Sequence, residues 1–276
     1  MALSTTWFLL EQEGLLARAC LCNGLTALRR ANLGDKRGLF YSAFFELSTG
    51  FERMLKLVLV LDQMARKDAV RLDGKILKHH GHKLLALFSA TKTICASHDL
   101  IALNKFTDAS MQNVILGFLD AFAHPEGRYF NLNNLTDDKH QTKDDPITAW
   151  GKIATQIIQE QATSGEREHT ERNGLIANIA FGDKTSNSIR DLDQQPMDVA
   201  ELHVRASELE IAAKHAIYAM VALIAALRNV IHTLCESAWT ANPHGNSGVA
   251  NIPDMKDFFT FAWDDRRYVM RKRRWP

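Results

Sequence analysis

Arg228-Asn229-Val230-Ile231-His232 is the stretch whose residue types come nearest to chemistry. Residues four apart share one face of a helix, so the guanidinium and the imidazole can both reach a single phosphate. Histidine titrates near neutrality and can move a proton there. The competing reading is structural. Arg228 follows the apolar run at 216–227, where a buried segment ends and solvent begins, and with His232 it would form a polar pair on a buried helix.

Other groupings are less able to act. Lys78-His79-His80-Gly81-His82 has three histidines, of which only His79 and His82 stand at a helical ligand spacing, and no carboxylate or cysteine accompanies them, so a solvated helix start is expected and no metal site. Cys20-x-Cys22 reads as two small buried residues. With Cys95 and Cys235 the thiols are too few and too scattered for a disulfide framework. His124-Pro125-Glu126-Gly127 is a helix terminus first. There is no Gly-rich phosphate loop, no Gly-x-Ser-x-Gly turn and no His-Glu-x-x-His helix. No cofactor is implied.

What must position such groups is an all-α scaffold. Phe40, Phe44, Leu47, Phe51, Met54, Val58 and Leu61 recur at spacings of four and three, which lays one apolar stripe along a helix over 39–61. Three phenylalanines on one face need partners, so this helix is expected at the centre of an antiparallel bundle. Glu46 and Arg53, a heptad apart on it, are candidate polar partners for chemistry or an ordinary polar face.

The words Tyr41-Ser-Ala-Phe-Phe-Glu46-Leu-Ser-Thr-Gly50-Phe-Glu-Arg53-Met-Leu-Lys56 resemble the second helix of bacterial proteins in the HEPN superfamily. Gly81-His82-Lys83-Leu84 opening a helix, and Phe122-Ala123 followed by Arg128-Tyr129-Phe130-Asn131-Leu132, fit the same pattern. The resemblance covers roughly the first half of the chain. It implies a helical bundle from toxin–antitoxin, abortive-infection or other phage-defence systems. It also implies a homodimer in which an arginine and a histidine on one helix cleave RNA without metal, histidine acting at the 2′-hydroxyl or the leaving oxygen and arginine steadying the phosphate. The family spacing of four to six intervening residues occurs nowhere in this chain. Arg228–His232 has three, with the expected asparagine at Asn229. Arg228, Asn229, His232 and Glu46 are therefore the candidate catalytic residues, in a metal-independent ribonuclease. The alternative is a non-catalytic helical module that binds RNA, a nucleotide or a protein partner of a defence system.

The first helix should run to about residue 31, with Phe8, Leu9, Leu15, Leu16, Ala19, Cys20 and Leu25 on its apolar side. Residues 65–75 read as a loop, 84–97 as a helix, and 109–123 as another capped by Thr107-Asp108. The HEPN-like bundle is assigned to 1–135. A polar insertion at 136–195 holds one short helix, 147–161, and then a surface excursion from 164 onward. A long helix over 196–240 packs on the bundle, and its apolar second half is expected to need neighbours or a second copy all round. The tail, 241–276, interleaves Phe258, Phe259, Phe261, Trp263, Tyr268 and Trp275 with basic residues. Arg271, Arg273 and Arg274, with Arg53 and Arg128, are candidate RNA-binding residues. The plainer reading docks the aromatics and leaves the charges in solvent. A net charge of +1 gives no global pull toward nucleic acid or membrane. The twelve-residue apolar run falls short of the roughly 20 needed to span a bilayer, and no signal peptide is visible, so a cytoplasmic protein without membrane contact is expected.

Overall fold

A computed structural model describes residues 3–66, 74–136, 145–181, 190–192, 195–241 and 252–276. The fold is all-α. Among the described residues it consists of helices α1 (Thr5–Arg30), α2 (Gly38–Ala65), α3 (Gly74–His80), α4 (Leu84–Ser97), α5 (Met111–Ala123), α6 (Pro125–Arg128), α7 (Phe130–Leu135), α8 (Pro146–Gln161), α9 (Ser164–Phe181), α10 (Val199–Ala241) and α11 (Arg266–Arg271), with no strand.

The Ser4 side chain caps α1 by accepting from Trp7 N at 3.0 Å. After α1, Asn32 Oδ1 accepts from Gly34 N and Lys36 N, both at 3.0 Å, and this turn sends the chain back as α2. The two helices lie unusually close. A Cβ on Gly24 would stand 2.6 Å from Leu47 Cγ, and one on Gly50 would stand 2.8 Å from Leu21 Cγ. The whole α2 stripe from Phe40 to Leu61 is buried, none of its seven residues more than 2% exposed. Each such side chain contributes about 1.5–3 kcal/mol on leaving water. Phe44 is the hub: its ring meets Phe118 at 4.7 Å and Phe122 and Trp150 at 5.5 Å, tying α2 to α5 and α8.

Several details depart from the sequence-based expectation. On α1 the buried residues are Leu10, Gly14, Ala17, Leu21, Cys22, Gly24, Leu25 and Leu28, whereas Phe8, Leu9, Leu15 and Leu16 are 47–60% exposed. The helix is apolar on two sides, and the side with small residues wins because it lets α2 and the tail approach. A Cβ on Gly14 would stand 2.6 Å from the Phe258 ring. A helix, α3, occupies part of the expected 65–75 loop. The cap of α5 is Ser110, which accepts from Asn113 N, rather than Thr107-Asp108. Residues 164–181 form α9, packed along α10, where excursion was expected: its buried side is Thr170, Gly174 and Ala177, too small and too polar to register as an apolar face. The expected excursion beyond Phe181, apart from 190–192 and Gln195, lies outside the described residues.

The 43-residue α10 is about 65 Å long and packs against α1, α2, α5, α8, α9 and α11. Its apolar half is covered by the chain's own helices, so the neighbours it needed all round come from within. By length and composition α10 could cross a membrane, but 67% of its most apolar window is buried inside the bundle, as in a core helix.

Candidate functional site

On α10, His232 leaves the packed side of the helix. Its side chain is 36% exposed, its Nε2 stands 3.6 Å from Glu236 Oε1, and both face a cleft of about 540 Å³ bounded by Cys235, Trp239, Ile252, Asp254 and Lys256. Arg228, one turn earlier, is half-buried and makes no ion pair or hydrogen bond among the described residues; it does not line the cleft. Asn229 is exposed, and its backbone carbonyl accepts from Thr233 Oγ1. The cleft does not draw a phosphate electrostatically, since Glu236 and Asp254 face one cation, Lys256, which is itself 3.1 Å from Asp254. Cys235 supplies no nucleophile, because burial pushes its thiol up to about 12.

Glu46 and Arg53 belong to the α1–α2 seam. Arg53 Nη1 donates to Glu13 Oε1 at 2.6 Å. Burial raises the Cys20 thiol to about 11, reinforced by its hydrogen bond to Glu46. Neither Glu46 nor Arg53 bonds to Arg228 or His232 among the described residues, so the four candidate catalytic residues are not gathered into one site. Arg128 stacks its guanidinium 4.7 Å from the Phe45 ring on α2. Nearby, Asn131 Nδ2 donates to Tyr41 OH, which itself donates to Asp145 Oδ1.

The tail divides its residues as the plainer reading expects for part of them. Phe259, Phe261, Val269 and Trp275 are buried, Trp263 and Tyr268 are exposed, and Arg266, Arg267, Arg271, Arg273 and Arg274 all stand in solvent. The docked residues fix the direction of the charged ones. Trp275 N donates to Thr26 Oγ1 of α1 at 3.0 Å, and Arg273 Nη2 comes within 4.0 Å of Glu210 of α10. Arg266 lies over Tyr218 at 5.6 Å, and Lys272 Nζ donates to Tyr268 OH at 2.6 Å. The result is a run of solvent-exposed arginines over 266–274, with exposed Tyr268 among them and exposed Trp263, Asp264 and Asp265 just before them in sequence.

Three carboxylate–histidine pairings were not foreseen, because their partners are far apart in sequence. Buried Asp62 accepts from Arg66 at 2.6 Å and bonds His98 Nε2 at 2.9 Å. Glu166 of α9 meets buried His215 of α10 at 3.2 Å. Glu52 bonds Lys56 at 2.6 Å and His82 Nδ1 at 2.9 Å. Among the described residues no group of three or more His, Cys, Asp or Glu side chains is disposed to hold a metal. No family model, curated protein or solved structure matches the chain, so residue chemistry and geometry alone bear on function.

Proposed function

We propose that this chain is a HEPN-like protein of a bacterial defence or toxin system, working in the cytoplasm, that binds RNA through its C-terminal basic strip. The observation that carries the reading is the docked tail, whose buried Trp275, Phe259 and Val269 hold five arginines in solvent beside exposed aromatics. Cations paired with stacking surfaces are what a single strand requires, phosphates for the former and bases for the latter. Anisotropy titration with a labelled single-stranded RNA at several salt concentrations tests it. The logarithm of affinity should fall by about 0.7 for each phosphate contacted per decade of salt. The triple variant R271E/R273E/R274E should lose both the affinity and most of that slope. Unchanged affinity in the triple variant would remove the strip from the proposal.

Cleavage of the bound RNA at Arg228 and His232 is the second reading, favoured by one observation: the His232 ring opens on a solvent cleft and not on the core. His232→Ala should then abolish cleavage in the presence of chelator while leaving Tm nearly unchanged. Products should carry 2′,3′-cyclic phosphate ends. Wild type that binds RNA but leaves it intact would reduce the protein to the non-catalytic module. A homodimer and a protein partner of the same system belong to the proposal as well.

A further inference from the structure

The last turn of α1, the Glu210–Lys214 turn of α10 and residues 272–275 of the tail meet at one seam. Arg29 Nη2 lies 3.4 Å from Glu210 Oε1, Lys214 Nζ 3.3 Å from that oxygen, and Arg273 Nη2 4.0 Å from it. Three cations thus converge on one carboxylate, and Arg30, Lys272 and Arg274 flank them in sequence. The C-terminal end of α1 adds about half a negative charge. The seam therefore keeps a surplus of more than about one positive charge by the same reckoning.

Two hydrogen-bond donors at this seam have no acceptor. The Arg29 side chain is only 5% exposed, and its Nε is buried without a partner among the described residues. Trp275 Nε1, on the residue whose backbone is tied to Thr26 one turn before Arg29, is likewise buried and unpaired. Leaving such donors unpaired is unfavourable, and an oxyanion bound against either would supply lone pairs and negative charge. Burial lowers the pKa of Arg29, and the neighbouring Arg273 acts in the same direction against the support of Glu210. An anion would reverse that balance. Glu210 does not suffice as the acceptor, since its one near oxygen is shared among three cations.

We propose that this seam binds a single phosphate group, held by Arg29, Arg273, Lys214 and the Trp275 indole N–H. The proposal rests on the RNA-binding reading only for the source of that phosphate, an RNA strand or a free nucleotide. The site itself stands on the surplus charge and the two orphaned donors.

The test replaces sodium chloride with sodium phosphate at fixed ionic strength and follows the Tm of the full chain. Phosphate stabilises proteins generally by exclusion from their surfaces, so the reading is the difference between wild type and variants. Wild type should gain Tm saturably, while W275F, which deletes the indole donor, and R273Q, at a side chain 79% exposed, should lose most of the saturable part. Should W275F fold poorly, R273Q alone decides. Equal responses in wild type and R273Q, or a wild-type response with no saturation, would overturn the site. Labelled RNA and an adenine nucleotide are then titrated into the same proteins. RNA binding without a saturable phosphate response keeps the strip and removes the seam. A phosphate response with nucleotide but no RNA binding keeps the seam and removes the RNA reading.

Discussion

Glu52 shows how a single residue on α2 serves the fold. Its side chain is 16% exposed, and burial pushes its carboxyl pKa up, but hydrogen bonds from Lys56 and His82 outweigh burial and leave it below the ordinary carboxylate range. A carboxylate whose folded pKa lies below its unfolded one stabilises the fold above the unfolded pKa, and that stabilisation is lost as pH falls through the folded pKa. E52Q should therefore be less stable than wild type near about pH 6, and the gap should close on acidification to about pH 3. Urea denaturation of both proteins at the two pH values checks the sign; a gap that widens in acid would contradict it. Lys56 was readable as a partner because i,i+4 pairs are local. His82 was not, since nothing in the sequence says that the α3–α4 turn folds back onto α2.

At the level of the element, the α1–α2 pair explains what the sequence revealed and what it concealed. The α2 stripe was readable in full because its residues are large and recur at helical spacing, although Leu55, Leu57 and Leu59 are buried outside it as well. The inner face of α1 was misassigned because its signal lies in small residues. Gly14, Ala17 and Gly24 carry almost no apolar weight, while Phe8, Leu9, Leu15 and Leu16 carry much and stay outside. The same logic hid α9, whose Gly174 and Ala177 face the bundle. Close approach gives a direct consequence. A Cβ on Gly50 would lie 2.8 Å from Leu21 Cγ and 2.9 Å from Leu21 backbone N, so side-chain rotation alone cannot clear it. Although alanine is the better helix former, G50A should destabilise the protein by about 1–3 kcal/mol, as overpacking does. Chemical denaturation decides it; a variant more stable than wild type would mean the helices are farther apart than described. The candidate site shared this mixed fate: the tail's arginines and docked aromatics were readable from composition, whereas Arg29, Lys214 and Trp275 meet only because α1, α10 and the tail converge.

For the whole molecule, the outer side of α1 is one of the apolar surfaces that packing leaves over among the described residues, as the outer side of α9 with Leu175, Ile176 and Ile179 is another. Phe8, Leu9, Leu15 and Leu16 are 48%, 60%, 48% and 47% exposed, and no charged residue lies between them on that side, where Gln12 occupies the middle. Their positions are symmetric about Gln12, with Phe8 matched to Leu16 and Leu9 to Leu15. A two-fold axis at Gln12 would set α1 against its copy in antiparallel register, each apolar pair meeting the other and the two glutamine amides facing across the axis. An isologous contact requires this self-matching pattern, whereas a different partner would not. The proposed dimer is therefore assigned to α1 and not to α10, whose apolar half is already covered within the chain. Sedimentation at micromolar concentration should show a dimer for wild type and a monomer for L16E, which places a carboxylate opposite Phe8 of the copy. Leu16 is exposed in the single chain, so L16E should leave the helical circular dichroism intact. A wild-type monomer, or an L16E dimer, would take the contact away from this face.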